Sequence, residues 1–363
     1  MSAAPTTPVI ESWRVGFPLA AALGAGGLGA WVAQLAGVPV GLLPADHGAF
    51  MIWGVLGSAI QGFLLTAYAK QNGAALPGRG ALLALVGAQT VSALVLLARP
   101  SIPTGLTVAL VAAPWVGMLV WAVRVAVPSL RRGWDATTAA VPVALASGLV
   151  GVVLHLTGAV APRGVDVGVQ AFVAPMALAV LDRVLPFFSR NVPGYTGVRR
   201  PWFLGPLLVL LWVGLLVPAW SQLTAIAIGV LLVRQWVGWQ PFPAARVPMI
   251  GVLHVGVGWF LVATAFSALG ATRSASIHAL TVGGLGTLLF AISMRVVRGH
   301  SGLPVVVGRV GAAVLIAVQL TAVVRVAVGQ VGGPPWLLAV SGGLLVVAFV
   351  AWLVRFLPVC FRG

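Results

Sequence analysis

Apolar stretches of roughly 20 residues, the length a helix needs to cross a bilayer, recur from one end of this chain to the other. Short breaks carrying arginine, proline and glycine separate them. Counting by that length predicts twelve spans, over residues 17–36, 47–69, 81–98, 106–127, 136–156, 169–184, 203–217, 223–237, 249–269, 277–297, 305–324 and 336–354. The sixth to eighth are short. Long apolar runs between brief polar breaks favour helices over a β-barrel, whose strands are shorter and alternate. The longest connections, 128–135 and 185–202, leave no room for a separate soluble domain. Residues 1–363 therefore read as one all-α, polytopic membrane bundle.

Composition strengthens this picture. Hydrophobic residues make up 60% of the chain and charged residues 7%, against roughly 25% charged in soluble domains. The net charge of +16 reads as loop arginines that meet anionic lipid and fix topology, not as a nucleic-acid surface. Of the 21 basic residues, 17 fall on one side of the predicted bundle; Arg99, Arg163, Arg273 and Arg325 fall on the other. The positive-inside rule then makes both termini cytoplasmic. A single cysteine, Cys360, excludes an internal disulfide and a CxxC metal site. A basic region followed by a short apolar core and cleavage site is missing near Met1, so no removable signal peptide is expected.

Chemistry has few places to sit. Glu11, Asp46, Asp135, Asp166 and Asp182 all fall near span ends or in loops, which disfavours a pump or carrier driven by mid-membrane carboxylates. No G-x-S-x-G elbow or P-loop is present. Five histidines remain. His47 lies 23 residues above Lys70, His155 lies 23 above Arg132, and His278 lies 17 above Arg295. At about 1.5 Å per residue these three share one depth to within one or two turns. Imidazoles at one level can meet in a bundle, and imidazole is the usual ligand of heme iron or copper. Met51 lies one turn below His47 on the same face. His254 is only eight residues above Arg246, about 12 Å from that edge, and is a weaker metal candidate. His300 is read as a solvated loop residue. Each has a plainer reading too: an interfacial or interior hydrogen bonder for a histidine, a core residue for Met51. Gln61 offers either a polar path or a bond to a neighbouring helix, and the Gly283–Gly284–Gly286 cluster either a bed for a flat macrocycle or close helix packing.

The stretch DHGAFMIWGVLGSAIQGFLLTAYAKQN, residues 46–72, resembles the signature of the NnrS family of heme- and copper-containing membrane proteins. That signature runs Trp-His-x-His-Glu-Met, then Gly, then Gly-Phe-Leu-Leu-Thr-Ala. His47, Met51, Gly54 and the block Gly62 to Ala67 match it; Asp46, Ala49 and Phe50 stand where the signature has Trp, His and Glu. DRVLPFFSRN from Asp182, LHVGVGWF from Leu253 and HALTVGGLGTLLFAISMRVVRGHSG from His278 resemble further family blocks, in order.

The resemblance implies a twelve-helix protein of the bacterial inner membrane that holds heme, with copper as a further candidate, and takes part in the response to nitric oxide. Its span count and histidine depths are also similar to the catalytic subunit of heme–copper oxidases, which place heme ligands on the second and tenth helices. His47 and His278 fall at those places, with Met51 beside them and His155 and His254 as further metal candidates. The departures at Ala49 and Phe50 put copper in doubt. Two other classes stay open: a cofactor-free carrier or channel, and a copper-handling protein using His155, His254 and methionines Met51, Met118, Met176, Met249 and Met294. The redox partner and any catalytic role are not legible.

Overall fold

The computed structural model describes residues 11–158 and 163–362, which are helical with no strand among them. Among the described residues, eleven helices are long and apolar enough to cross a membrane. In chain order with the shorter Pro201–Leu216, they are α1 (Trp13–Leu35), α2 (Asp46–Gln71), α3 (Arg79–Leu97), α4 (Thr104–Arg132), α5 (Ala136–Thr157), α6 (Gly164–Ser189), α7 (Pro201–Leu216), α8 (Pro218–Gly238), α9 (Pro248–Ala268), α10 (Arg273–His300), α11 (Gly308–Val331) and α12 (Pro335–Cys360). These are the twelve expected segments. The sixth and eighth are not short: they run for 26 and 21 residues.

The Arg14 guanidinium donates to the Cys360 carbonyl at 2.7 Å. The start of α1 and the end of α12 therefore share one face, which requires an even number of crossings. Helix α7 supplies the twelfth, although 16 residues rise only about 24 Å. It packs on α5, where the Trp212 indole donates to Ser147 Oγ at 3.2 Å.

Lipid gives no hydrophobic force between helices, so packing relies on small residues and interhelical hydrogen bonds. The GFLLTA block has this role. A Cβ on Gly62 would stand 2.8 Å from Gly16 Cα, so the backbones of α1 and α2 touch here. Ser12 Oγ donates to the Gly62 carbonyl at 2.8 Å, and Thr66 Oγ1 accepts from the Ser12 backbone N–H at 3.1 Å. Gly283 and Gly284 likewise make room for the Trp259 and Phe260 rings; helix packing is their role.

The face that carries the termini is tied by a polar network. Asp135 caps α5 through Thr137 N–H at 2.9 Å and accepts from Arg183 at 2.6 Å and Arg199 at 3.2 Å. Burial opposes ionisation of Asp135, but the two guanidiniums more than offset it and hold its carboxyl below the ordinary value. Asp182, fully buried, accepts from Thr137 Oγ1 at 3.1 Å and from the Arg200 backbone N–H at 3.1 Å. His300 is not a free loop residue. It ends α10, pairs through Nδ1 with Glu11 at 3.0 Å, and lies against the Trp13 ring. Glu11 also accepts from Lys70 at 2.5 Å and from the Trp13 indole at 2.7 Å.

Candidate ligand chamber

On the half of the bundle away from the termini, three helices carry π-helical turns: Phe50–Leu56 in α2, Gly168–Val173 in α6 and Ala279–Gly286 in α10. Such turns insert extra residues into a helix and gather at functional sites. Here they follow His47 by three residues and His278 by one. A π-turn widens the backbone ladder, and α3 covers the one in α2. Gln89 Nε2 donates to the Trp53 carbonyl at 2.5 Å and lies 3.2 Å from the Gly54 carbonyl. Gln89 Oε1 accepts from Gln61 at 3.0 Å. Of the two readings of Gln61, the bond to a neighbouring helix is the observed one.

His47 and His278 line the same cavity, of about 370 Å³, within the range of about 300–1,000 Å³ that holds small ligands and cofactors. Met51, Trp31, Phe290 and Phe349 also form its wall. The His47 ring stacks on Trp31, with centroids 4.7 Å apart and planes inclined by 14°. His47 makes no side-chain hydrogen bond among the described residues. His278 Nδ1 lies 2.7 Å from the Ser274 carbonyl, which can only accept, so Nδ1 carries the proton. Its Nε2 therefore holds a lone pair, which accepts from Arg325 Nη2 at 2.8 Å. The polar lining is completed by Arg273, Thr281 and Thr321; among the described residues no carboxylate lines the cavity.

The other candidates lie elsewhere. His155 is buried at the same depth, as expected, but its Nε2 sits 3.3 Å from both Asp46 Oδ1 and Arg99 Nη1. Arg99 in turn donates to Asp46. His155 also stacks on Trp53, with centroids 5.9 Å apart. His254 is 4% exposed and neither ring nitrogen has a partner among the described residues. Among those residues no three His, Cys, Asp or Glu side chains come close enough to hold a metal ion, so the four histidines do not converge. Met118, Met176, Met249 and Met294 are each buried core residues.

A lining residue of the cavity lies outside the predicted spans. Arg325 was placed beyond its span, yet α11 continues to Val331 and carries it into the cavity. The apolar run past it, VAVGQV, was the available signal. Asp46 and Asp182 stand near span ends as expected, but their side chains are buried.

A second cavity, of about 430 Å³, lies beside the first, against α6 to α10. The two share Val169, Arg273 and Ile277 as lining, and the second contains no histidine.

The fold and this chamber define a polytopic α-helical membrane protein with an internal cavity faced by two imidazoles and two guanidiniums. The chain belongs to the NnrS protein family, whose model matches residues 10–363. No curated protein matches it.

Proposed function

We propose that the chain is a heme-binding protein of the bacterial inner membrane, with both termini cytoplasmic, that binds nitric oxide in the nitrosative-stress response. The observation that carries this reading is the single cavity faced by His47 and His278. Its donor set fits heme: two imidazoles, an adjacent thioether in Met51, aromatic and aliphatic walls, and a cation at one side. It fits copper less well, because Ala49 and Phe50 stand where the family signature has its second histidine and its glutamate. The nitric-oxide role rests on the family resemblance.

Heme held by imidazole supplies a redox-active iron that binds diatomic gases. The chain's own residues prepare the site. Trp31 fixes the plane of His47, and the Ser274 carbonyl fixes the tautomer of His278. Leucine, isoleucine, valine and phenylalanine side chains make up most of the remaining wall. The chamber offers few protons: Thr281 donates to Ile277 O at 2.7 Å and Thr321 to Ala317 O at 2.8 Å. Ser58 and Gln61 are likewise committed to Gly54 and Gln89. Binding is favoured over proton-consuming reduction for this reason.

The test is an absorption spectrum of purified protein, oxidised and reduced, with iron and copper quantified, for wild type, His47→Ala and His278→Ala. A Soret band weakened or shifted in both variants is expected. Wild-type protein that stays colourless after expression with ample heme would refute the reading and return the carrier alternative to first place.

A further inference from the structure

Arg325 brings a charge into the chamber that no acidic group among the described residues answers. It lies six residues before the end of α11. Its side chain's one hydrogen-bond partner among the described residues is His278 Nε2, at 2.8 Å. The other guanidinium of the lining, Arg273, is neutralised by Asp166 through contacts of 2.5 to 3.2 Å. A guanidinium does not give up its proton. Within an apolar cavity such a charge is costly until an anion meets it, and a single imidazole lone pair satisfies only one of its five donors.

The same contact limits His278. With Nδ1–H committed to Ser274, Nε2 is the nitrogen left to bind a metal, and Arg325 occupies it. Both features are resolved by one class of ligand: a flat, mostly apolar, metal-bearing molecule with an acidic side arm. We propose that Arg325 is the acid-recognition residue of the chamber, moving from His278 Nε2 to a carboxylate of that ligand, so that capture of the acid frees the imidazole. The inference rests on the heme reading, since heme carries such carboxylates, and it adds which residue recognises them and how recognition is linked to His278. Asp46, Asp135, Asp166 and Asp182 are each held by arginines and Glu11 by Lys70 and His300; among the described carboxylates none is left to serve Arg325 instead.

The experiment titrates the purified full-length protein in detergent with ferric protoporphyrin and, separately, with its dimethyl ester. The ester keeps the ring and iron and removes both negative charges. Binding is read from the Soret band and from quenching of tryptophan emission. A charge-assisted pair predicts that wild type prefers the free acid by roughly tenfold or more over the ester. Arg325→Leu loses that preference: the acid binds more weakly, and the ester binds as well as before or better, because His278 Nε2 is free. Arg325→Lys keeps the charge and keeps the preference. Equal binding of acid and ester by wild type, or a preference unchanged in Arg325→Leu, overturns the inference while leaving heme binding intact. If Arg325→Leu does not fold, Arg325→Gln, which keeps a polar side chain and removes the charge, takes its place: loss of the preference is expected, and an unchanged preference overturns the inference. Failure of wild type to bind either compound overturns the heme reading and this inference together.

Discussion

Gln89→Leu tests whether α3 holds the π-turn that sets His47. The side chain is fully buried. Its amide donates to the Trp53 carbonyl at 2.5 Å and accepts from Gln61 at 3.0 Å. Gly54 O has a second donor in Ser58 Oγ at 2.7 Å, so two groups lose their side-chain partner: the Trp53 carbonyl and the Gln61 amide. At about 1 to 1.5 kcal/mol each, the upper part of the range for interhelical bonds in membranes, the loss is about 2–3 kcal/mol. Leucine fills the volume, so a cavity adds little.

A second effect follows from geometry. Closing a π-turn to α-helix removes about one residue's excess, which rotates the preceding segment by about 100° and shifts it by about 1.5 Å. His47 lies in that segment and would leave the chamber. The assay is reversible unfolding in mixed micelles, with the Soret band recorded on the same sample. Thr90→Ala is the control, because that hydroxyl donates only to Val86 O of its own helix at 2.9 Å. It is expected within about 0.5 kcal/mol of wild type. A Gln89→Leu protein that matched this control in both stability and spectrum would refute the claim that Gln89 supports the turn.

Three further outcomes are expected. Asp46→Asn leaves Arg99 without its counter-charge; because that guanidinium is partly exposed, the cost falls to about 2–3 kcal/mol, below that of a fully buried pair, measured by the same unfolding assay. Gly62→Val drives α1 off α2 at Gly16 and costs about 2 kcal/mol or more, with loss of folded yield as the readout. Glu11 gives a pH dependence: burial raises its pKa, but Lys70, Trp13 and His300 outweigh this and bring it from 4.5 to about 2. A lowered folded pKa means its stabilisation is complete above about 4.5 and is lost as pH falls towards about 2. Solvent screening keeps the step below about 1 kcal/mol, and Glu11→Gln should flatten the stability–pH profile in that window.

Much of this was readable in the chain, for a definite reason. Bilayer thickness imposes a length on every span, so counting apolar runs recovers the helices and even their histidine depths. Helix ends are less constrained: α11 runs seven residues past its predicted end at 324, and that stretch contains Arg325. Depth also says nothing about lateral position. His155 shares a level with His47 and His278, yet its partner is Asp46, 109 residues away in sequence. The π-turns have no composition of their own, and the glycines beside them read equally well as packing. No pattern in one helix announces that Gln89 of another will cover its carbonyls.

The two faces of the bundle are built for different ends. The helices carrying His47 and His278 are fastened at the terminus-bearing face by the same carboxylate, Glu11, which holds Lys70 near the end of α2 and His300 at the end of α10. Their opposite halves contain the π-turns. There the Trp53 indole sits against Gly151 of α5 and Gly168 of α6, where any Cβ would press on its ring. A common anchor at one end fixes the spacing of the two helices, and extra residues at the other end set the rotation of each histidine. A chamber assembled this way can adjust its imidazoles without disturbing the rest of the membrane bundle.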